Sequence, residues 1–233
     1  MAFAAMSFDI FQTLADIHPR VPAVWRRILG DRFSPELAQK AAALLRASLP
    51  EGFQEAAVEF VPMRQFFARR METVLKALEI PADPAEAADI FRAEHGCAEL
   101  YPDARPCLEW ASARVPVFIA SDADAEMAGP VLEKLPHGPI FLSEELAAYK
   151  QDLRGRFFRK LLEETGIAPE NLLHVGDSAA DILGAHRSGI PVCLLERDGS
   201  RLLPGVPEPD FRIRTLAELP VLLEGRIVGK SQI

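Results

Sequence analysis

Leu172-Leu173-His174-Val175-Gly176-Asp177-Ser178-Ala179-Ala180-Asp181-Ile182-Leu183-Gly184-Ala185 is the stretch from which the rest of the chain can be read. An apolar run stops at Gly176-Asp177, and a helical pattern begins after a few small residues. That order predicts a buried strand, a tight turn and a helix. In a parallel sheet, ligands gather beyond the carboxyl ends of the strands. Asp177 is therefore expected where chemistry happens, with Asp181 on the first turn of the next helix. Two carboxylates so close suit a hard cation such as Mg²⁺, which takes oxygen ligands and keeps several waters. A plainer role, with Asp177 capping the helix, fits this stretch equally well.

The segments on either side alternate in the same way. Before the stretch, Val115–Ala120 reads as a strand ending in Ser121-Asp122, Glu126–Leu135 as a helix, and Pro139–Leu142 as a short strand. Asp152–Thr165 reads as a helix with Phe157, Phe158, Leu161 and Leu162 inward and Gly166 as its stop. After it, Gly189 ends the helix and Pro191–Leu195 forms another strand. A loop is expected over 198–209, then a short strand at Phe211–Ile213, a helix near Leu216–Leu223 and a frayed tail from Gly229. At the start of the chain, Phe3–Phe8 is an apolar strand that ends at Asp9. The pattern predicts an α/β fold, a doubly wound, Rossmann-like parallel sheet with helices on both faces.

From about Pro22 to Leu100 the period is helical. Ser34-Pro35 caps a helix carrying Leu37, Leu44 and Leu45. A second helix after Pro62 has the stripe Met63, Phe67, Met71, Val74 and Leu78, which is packing. Asp83-Pro84-Ala85-Glu86 opens a third. No strand is expected here. The chain divides into a core, residues 1–15 and 101–233, and an inserted all-helical cap, residues 16–100.

With 233 residues, about half of them hydrophobic, there is material for one domain with an insert. The net charge of −8 argues against nucleic-acid binding, which needs a basic field. Cys97, Cys107 and Cys193 are odd in number and lack metal-type spacing, as in a reducing compartment. Residues 1–8 lack the basic start of a signal peptide, and no run is long enough to span a bilayer. A cytoplasmic protein, monomer or homodimer, acting on a small anionic molecule is expected. Arg20, Arg64, Arg69 and Arg70 are candidates to meet that anion.

Four strand-end clusters stand in order: Asp9-Ile10-Phe11-Gln12-Thr13-Leu14, Ser121-Asp122, Lys150, and Gly176-Asp177 with Asp181. Together they resemble the haloacid dehalogenase superfamily of hydrolases, over essentially the whole chain, with the insert where that family carries a type 1 cap. The first cluster is most similar to a phosphatase-like subgroup with Asp-Ile-Phe-Asp-Thr-Leu. The resemblance implies that Asp9 is the nucleophile and that Thr13 steadies its turn. Ser121, Asp122 and Lys150 would face the substrate, with Lys150 offsetting negative charge. It also implies that Asp9, the Phe11 carbonyl, Asp177 and Asp181 hold Mg²⁺, Asp181 directly or through water.

One departure bears on function. Phosphatases of this family carry an acid two residues after the nucleophile, and here that residue is Phe11. Loss of a general acid removes about two to four orders of magnitude in rate. Asp16 and His18, just beyond, are the candidate replacements. Dehalogenases of the family carry an aromatic residue there, because halide leaves unprotonated, but they need no metal and this chain keeps the acidic last cluster. The first reading is a Mg²⁺-dependent hydrolase of a small phosphorylated metabolite. The alternatives are a metal-independent 2-haloacid dehalogenase and a catalytically weak phosphate-pocket binder.

Overall fold

The computed structural model describes residues 2–197 and 205–228. The tail from Gly229 and part of the expected 198–209 loop, residues 198–204, lie outside the described residues. The chain opens with β1 (Ala5–Phe8) and a two-residue strand, β2 (Ala15–Asp16). Four helices follow: α1 (Val21–Leu29), α2 (Pro35–Ala56), α3 (Met63–Ala77) and α4 (Pro84–Gly96). A second short strand, β3 (Glu99–Leu100), leads to α5 (Ala104–Ser112), β4 (Val117–Ser121), α6 (Ala125–Leu132) and β5 (Ile140–Leu142). The remainder is α7 (Ser143–Leu146), α8 (Arg156–Thr165), β6 (Leu172–Gly176), α9 (Ala179–Arg187), β7 (Val192–Leu195), β8 (Phe211–Ile213) and α10 (Leu219–Leu222).

Six strands form one parallel sheet in the order β5-β4-β1-β6-β7-β8. The fold is therefore α/β, with a helical insertion between β1 and β4. Alternating side chains divide between the two faces, as strand geometry requires. Met6, Phe8, Val117, Ile119, Leu173, Val175 and Cys193 pack against α5 and α6. Ala5, Phe118, Ala120, Leu172, Val192 and Leu194 pack against Phe157, Phe158 and Leu161 of α8 and Ile182 and Ala185 of α9. Cys193 is thus a small core hydrophobe.

The chain leaves β1 toward one edge of the sheet and later β6 toward the other. The reversal falls between these neighbours, where an open α/β sheet leaves a crevice beyond its strand ends. Phe8 pairs with Ile119 on one side and Val175 on the other. This register brings Asp9, Ser121 and Asp177 to one rim.

The inserted helices have their own apolar interior, including Trp25, Ile28, Leu45, Met71 and Val74. Of the leucines that α2 carries, Leu44 lies 36% exposed while Leu45 turns inward. Met63, Phe66 and Phe67 extend the core of the sheet instead. The expectation of no strand between residues 22 and 100 misses β3, which pairs antiparallel with β2 through Ala15–Leu100 and Asp16–Glu99. Such two-residue strands carry no periodicity, because each is defined only by its partner. Several contacts fasten α2, α3 and the loop between them to the segment around Lys150. The Tyr149 hydroxyl donates to the Val61 carbonyl, and the Met63 and Leu153 amides donate to Glu144 and the Ala57 carbonyl.

Candidate active site

Asp9 follows the central strand, and its amide donates to the Val175 carbonyl at 2.9 Å. The turn beyond it is closed by Leu14 and Ala15 amides on the Ile10 carbonyl, and it takes Gln12 to φ +63°. Gln12 sits where a small residue would be easier. Its side chain compensates by accepting from the Ile17 amide and bonding His18. Thr13 is buried, but its hydroxyl has no partner among the described residues and it does not line the cavity; the turn is held through its carbonyl, which accepts from Arg197.

Asp9 is buried, 5% exposed as a residue. Its Oδ1 accepts from Ser121 Oγ at 2.8 Å and from Lys150 Nζ at 2.6 Å. Oδ2 is left for other work. Burial raises the Asp9 carboxyl above its ordinary range, against the opposing pull of Lys150.

Ser178, not Asp177, caps α9. Its hydroxyl accepts from the Asp181 amide, and Asp181 Oδ2 accepts from the Ser178 amide at 2.9 Å, a reciprocal capping box. The capping role expected as the plainer reading of Asp177 thus falls to Ser178, and Asp177 is free of it. It lines the cavity, and among the described residues no side chain donates to it. Burial, then the charges of Asp9 and Asp181, raise its carboxyl well above the ordinary value.

Asp181 is placed differently from the expectation. It is fully buried beneath the turn, and both oxygens are saturated. Oδ2 holds Ser178 through its amide and hydroxyl, while Oδ1 takes Lys150 Nζ at 2.5 Å and His174 Nε2 at 2.8 Å. Burial works against its charge, but Lys150 and His174 hold it below the usual carboxylate range. Gly176 makes this possible, since a Cβ there would stand 2.2 Å from Asp181 Cγ. His174, expected as a packed core histidine, is fully buried and also bonds Ser7 at 2.9 Å. That role was hidden because only pairing with β1 brings Ser7 beside it.

These groups border a cavity of about 520 Å³. Asp9, Phe11, Ser121, Asp122, Lys150 and Asp177 line it from the sheet. The Lys150 amide donates to Asp122 Oδ1 at 2.8 Å, and burial pushes the Asp122 carboxyl up to about 7. From the insert come Arg46, Leu49, Pro50, Phe53 and Gln54, one face of α2. The Phe11 ring meets His95 edge-on at 5.1 Å.

Other expected residues stay outside. Asp16 and His18 do not line this cavity; His18 borders neighbouring cavities between α1 and α2, and its amide bonds Asp16. Arg20 pairs with Glu94, Arg64 with Asp89 and Arg70 with Glu55. Arg69 does not line the cavity either. Arg46 was missed, although Arg46, Leu49, Pro50 and Phe53 recur at helical spacing.

The haloacid dehalogenase-like hydrolase model matches residues 3–189, from the first strand through α9. The chain belongs to this family. A phosphoglycolate phosphatase of Pseudomonas putida is 25% identical over 244 aligned positions, covering 91% of this chain and 82% of its own. YfnB from Bacillus subtilis, described as a HAD-hydrolase bound to magnesium, superposes with a TM-score of 0.82 at 20% identity, over 96% and 99% of the two chains. An L-2-haloacid dehalogenase from Xanthobacter autotrophicus, with chloropropionic acid covalently bound, gives 0.76 at 19% identity, over 96% and 99%. At such identities the structural likeness shows the fold alone. Among the described residues no helix is long and apolar enough to cross a membrane.

Proposed function

We propose that this family member is a Mg²⁺-dependent hydrolase of small phosphomonoesters that works through an aspartyl-phosphate on Asp9. The carrying observation is the asymmetry of that carboxylate. Oδ1 is pinned by Ser121 and Lys150, so Oδ2 is the oxygen available to attack. A carboxylate is a weak nucleophile, and a fixed orientation is what it needs most.

Asp9 Oδ2 bonds to phosphorus as the bond from phosphorus to the leaving oxygen breaks on the opposite side, and the alkoxide takes its proton from water. A water then attacks phosphorus, the bond to Oδ2 breaks, and Asp9 is freed with inorganic phosphate as the product. Ser121 keeps Asp9 oriented, and the third N–H of Lys150, not used by Asp9 or Asp181, is the donor left for the transferred group's remaining oxygens. Asp181 and His174 do not touch substrate; they position Lys150 from below.

The donor set fits a hard cation. Asp9, Asp122, Asp177 and Asp181 place four carboxyls around one lysine, so negative charge is in excess before any anion binds. No group of three His, Cys, Asp or Glu side chains gathers as a metal site among the described residues. Mg²⁺ needs only one or two carboxylates, the rest being carbonyl oxygen and water. Asp9, Asp177 and the Phe11 carbonyl would hold it, while Asp181, already saturated, would not. When bound, the ion draws charge from the phosphate oxygens. The phosphatase relative in Pseudomonas putida supports the same reading.

Phosphate release from a panel that includes phosphoglycolate, with Mg²⁺ and with chelator, tests the proposal. Asp9-dependent, Mg²⁺-dependent turnover is expected. The aromatic Phe11 favours dehalogenation as the second reading; halide release from a 2-haloacid in chelator, without phosphatase turnover, would establish that instead.

A further inference from the structure

We propose that Arg46 is the specificity-determining residue of the cavity, binding a second anionic group at the far end of a short phosphomonoester. The inference rests on the phosphatase reading for the Asp9 end and adds what the other end recognises.

Arg46 is exposed and lines the same cavity as Asp9 and Lys150. It makes no ion pair or hydrogen bond among the described residues. Several other arginines of the insert are held in ion pairs. Arg20 and Arg27 bind Glu94, Arg64 binds Asp89, Arg70 binds Glu55, and Arg92 bridges Asp89, Asp124 and Glu126. Arg46 is the only cationic side chain that α2 brings to this wall; beside it stand Leu49, Pro50, Phe53 and Gln54, none of them an acid.

The opposite wall cannot take a second anion. Among the described residues its single cationic side chain, Lys150, is engaged by Asp9 and Asp181, and Asp122 and Asp177 add carboxyl groups. A ligand with two anionic ends must therefore direct one of them to α2. A guanidinium matches carboxylate or phosphate in a two-pronged hydrogen bond. Between the ends, Leu49, Phe53, Leu183 and Val206 offer an apolar surface for a short carbon skeleton. The volume of about 520 Å³ suits a small molecule rather than a polymer. The substrate class is a phosphomonoester of a few carbons with a terminal carboxylate or second phosphate.

Matched pairs test this. 3-Phosphoglycerate is set against glycerol 3-phosphate, and propane-1,3-diyl bisphosphate against 3-hydroxypropyl phosphate. The ratio of kcat/KM between the charged and uncharged member of each pair is measured for the native protein, Arg46→Gln and Arg46→Lys. The native protein should prefer at least one charged member. Arg46→Gln should reduce that ratio about tenfold or more, chiefly through KM, and Arg46→Lys should restore part of it. The same pairs are titrated calorimetrically onto the Asp9→Asn protein, where the affinity ratio should fall in the same way on adding Arg46→Gln. A ratio that Arg46→Gln leaves unchanged, or a protein that binds both members equally or neither, overturns the assignment. Charge-dependent binding without turnover by the native protein would overturn the hydrolase reading and leave Arg46 standing; turnover with an unchanged ratio would do the reverse.

Discussion

Lys150 Nζ stands 2.5 Å from Asp181 Oδ1, deep beneath the cavity wall. The lysine's charge is thus fixed by a carboxylate that substrate does not reach. Asp177, four residues earlier, faces the cavity itself. Neutralising the two should have different consequences. Asp181→Asn leaves the buried Lys150 with Asp9 as its remaining ion-pair partner, a loss on the order of 2–3 kcal/mol in stability, and should cut turnover by about two orders of magnitude. Asp177→Asn should raise the half-saturating Mg²⁺ concentration by about tenfold or more, and Asp181→Asn should raise it less. A Mg²⁺ titration of both variants gives the order; the reverse order would put Asp181 on the metal.

Phe11 predicts a steep dependence on the leaving group. Asp16 and His18 lie outside the cavity, and Asp122 is engaged by the Lys150 amide. An alcohol then has to depart with little protonation, so aryl phosphates should be cleaved about two to four orders of magnitude faster than alkyl phosphates. Phe11→Asp should narrow that gap, although it also removes a ring contact with His95. Rates across a series of leaving-group pKa values measure the slope. A flat slope in the native protein would reveal a proton donor and discard this account.

Much of the fold could be read because strand ends and caps are local signals. The apolar run into Gly176-Asp177 needs only neighbouring residues; the Ser178-to-Asp181 capping box is as local, yet the plainer reading of the stretch puts the cap one residue early, at Asp177. The direction of the Asp181 side chain could not be read, since it depends on where Lys150, 31 residues away, folds back. The same holds for the inserted helices. Arg64 and Arg46 look alike in sequence, but Asp89 engages one while the other is left facing the cavity. Gln12 and Thr13 were obscured for another reason. Their turn is held by backbone geometry and by Arg197, far along the chain.

Gly184 predicts a defect that is local to the lysine. A Cβ at this position would meet the Lys150 carbonyl at 2.2 Å and the Phe158 ring at 2.7 Å. Backbone cannot yield as a flexible side chain can, so Gly184→Ala should displace the loop that carries Lys150. Overpacking of this kind costs about 1–3 kcal/mol. Turnover should fall further than the shift in Tm alone explains, because the loop orients Asp9 through Lys150. Gly129→Ala is the control, having nothing within 4 Å of a Cβ. Equal activity in the two alanine variants would contradict the prediction.

His95 predicts how stability changes with acidity. It is 6% exposed on α4, packed against Phe11, Phe67 and Phe91, with Nδ1 donating to the Phe91 carbonyl. Burial lowers its pKa from 6.5 to about 4. Above pH 6.5 both folded and unfolded chains hold it neutral, and it imposes no penalty. As pH falls through 6.5 the unfolded chain takes up a proton that the folded chain refuses until about pH 4. Stability is therefore lost across that window, by about 3 kcal/mol for this group alone, and the loss levels off below pH 4. Denaturant unfolding of the native protein and of His95→Gln at intervals from pH 7.5 to 4 checks it. The variant is expected to be less stable at pH 7 but to have a shallower slope, so the two curves converge toward pH 4. Parallel curves would mean that His95 protonates as readily folded as unfolded.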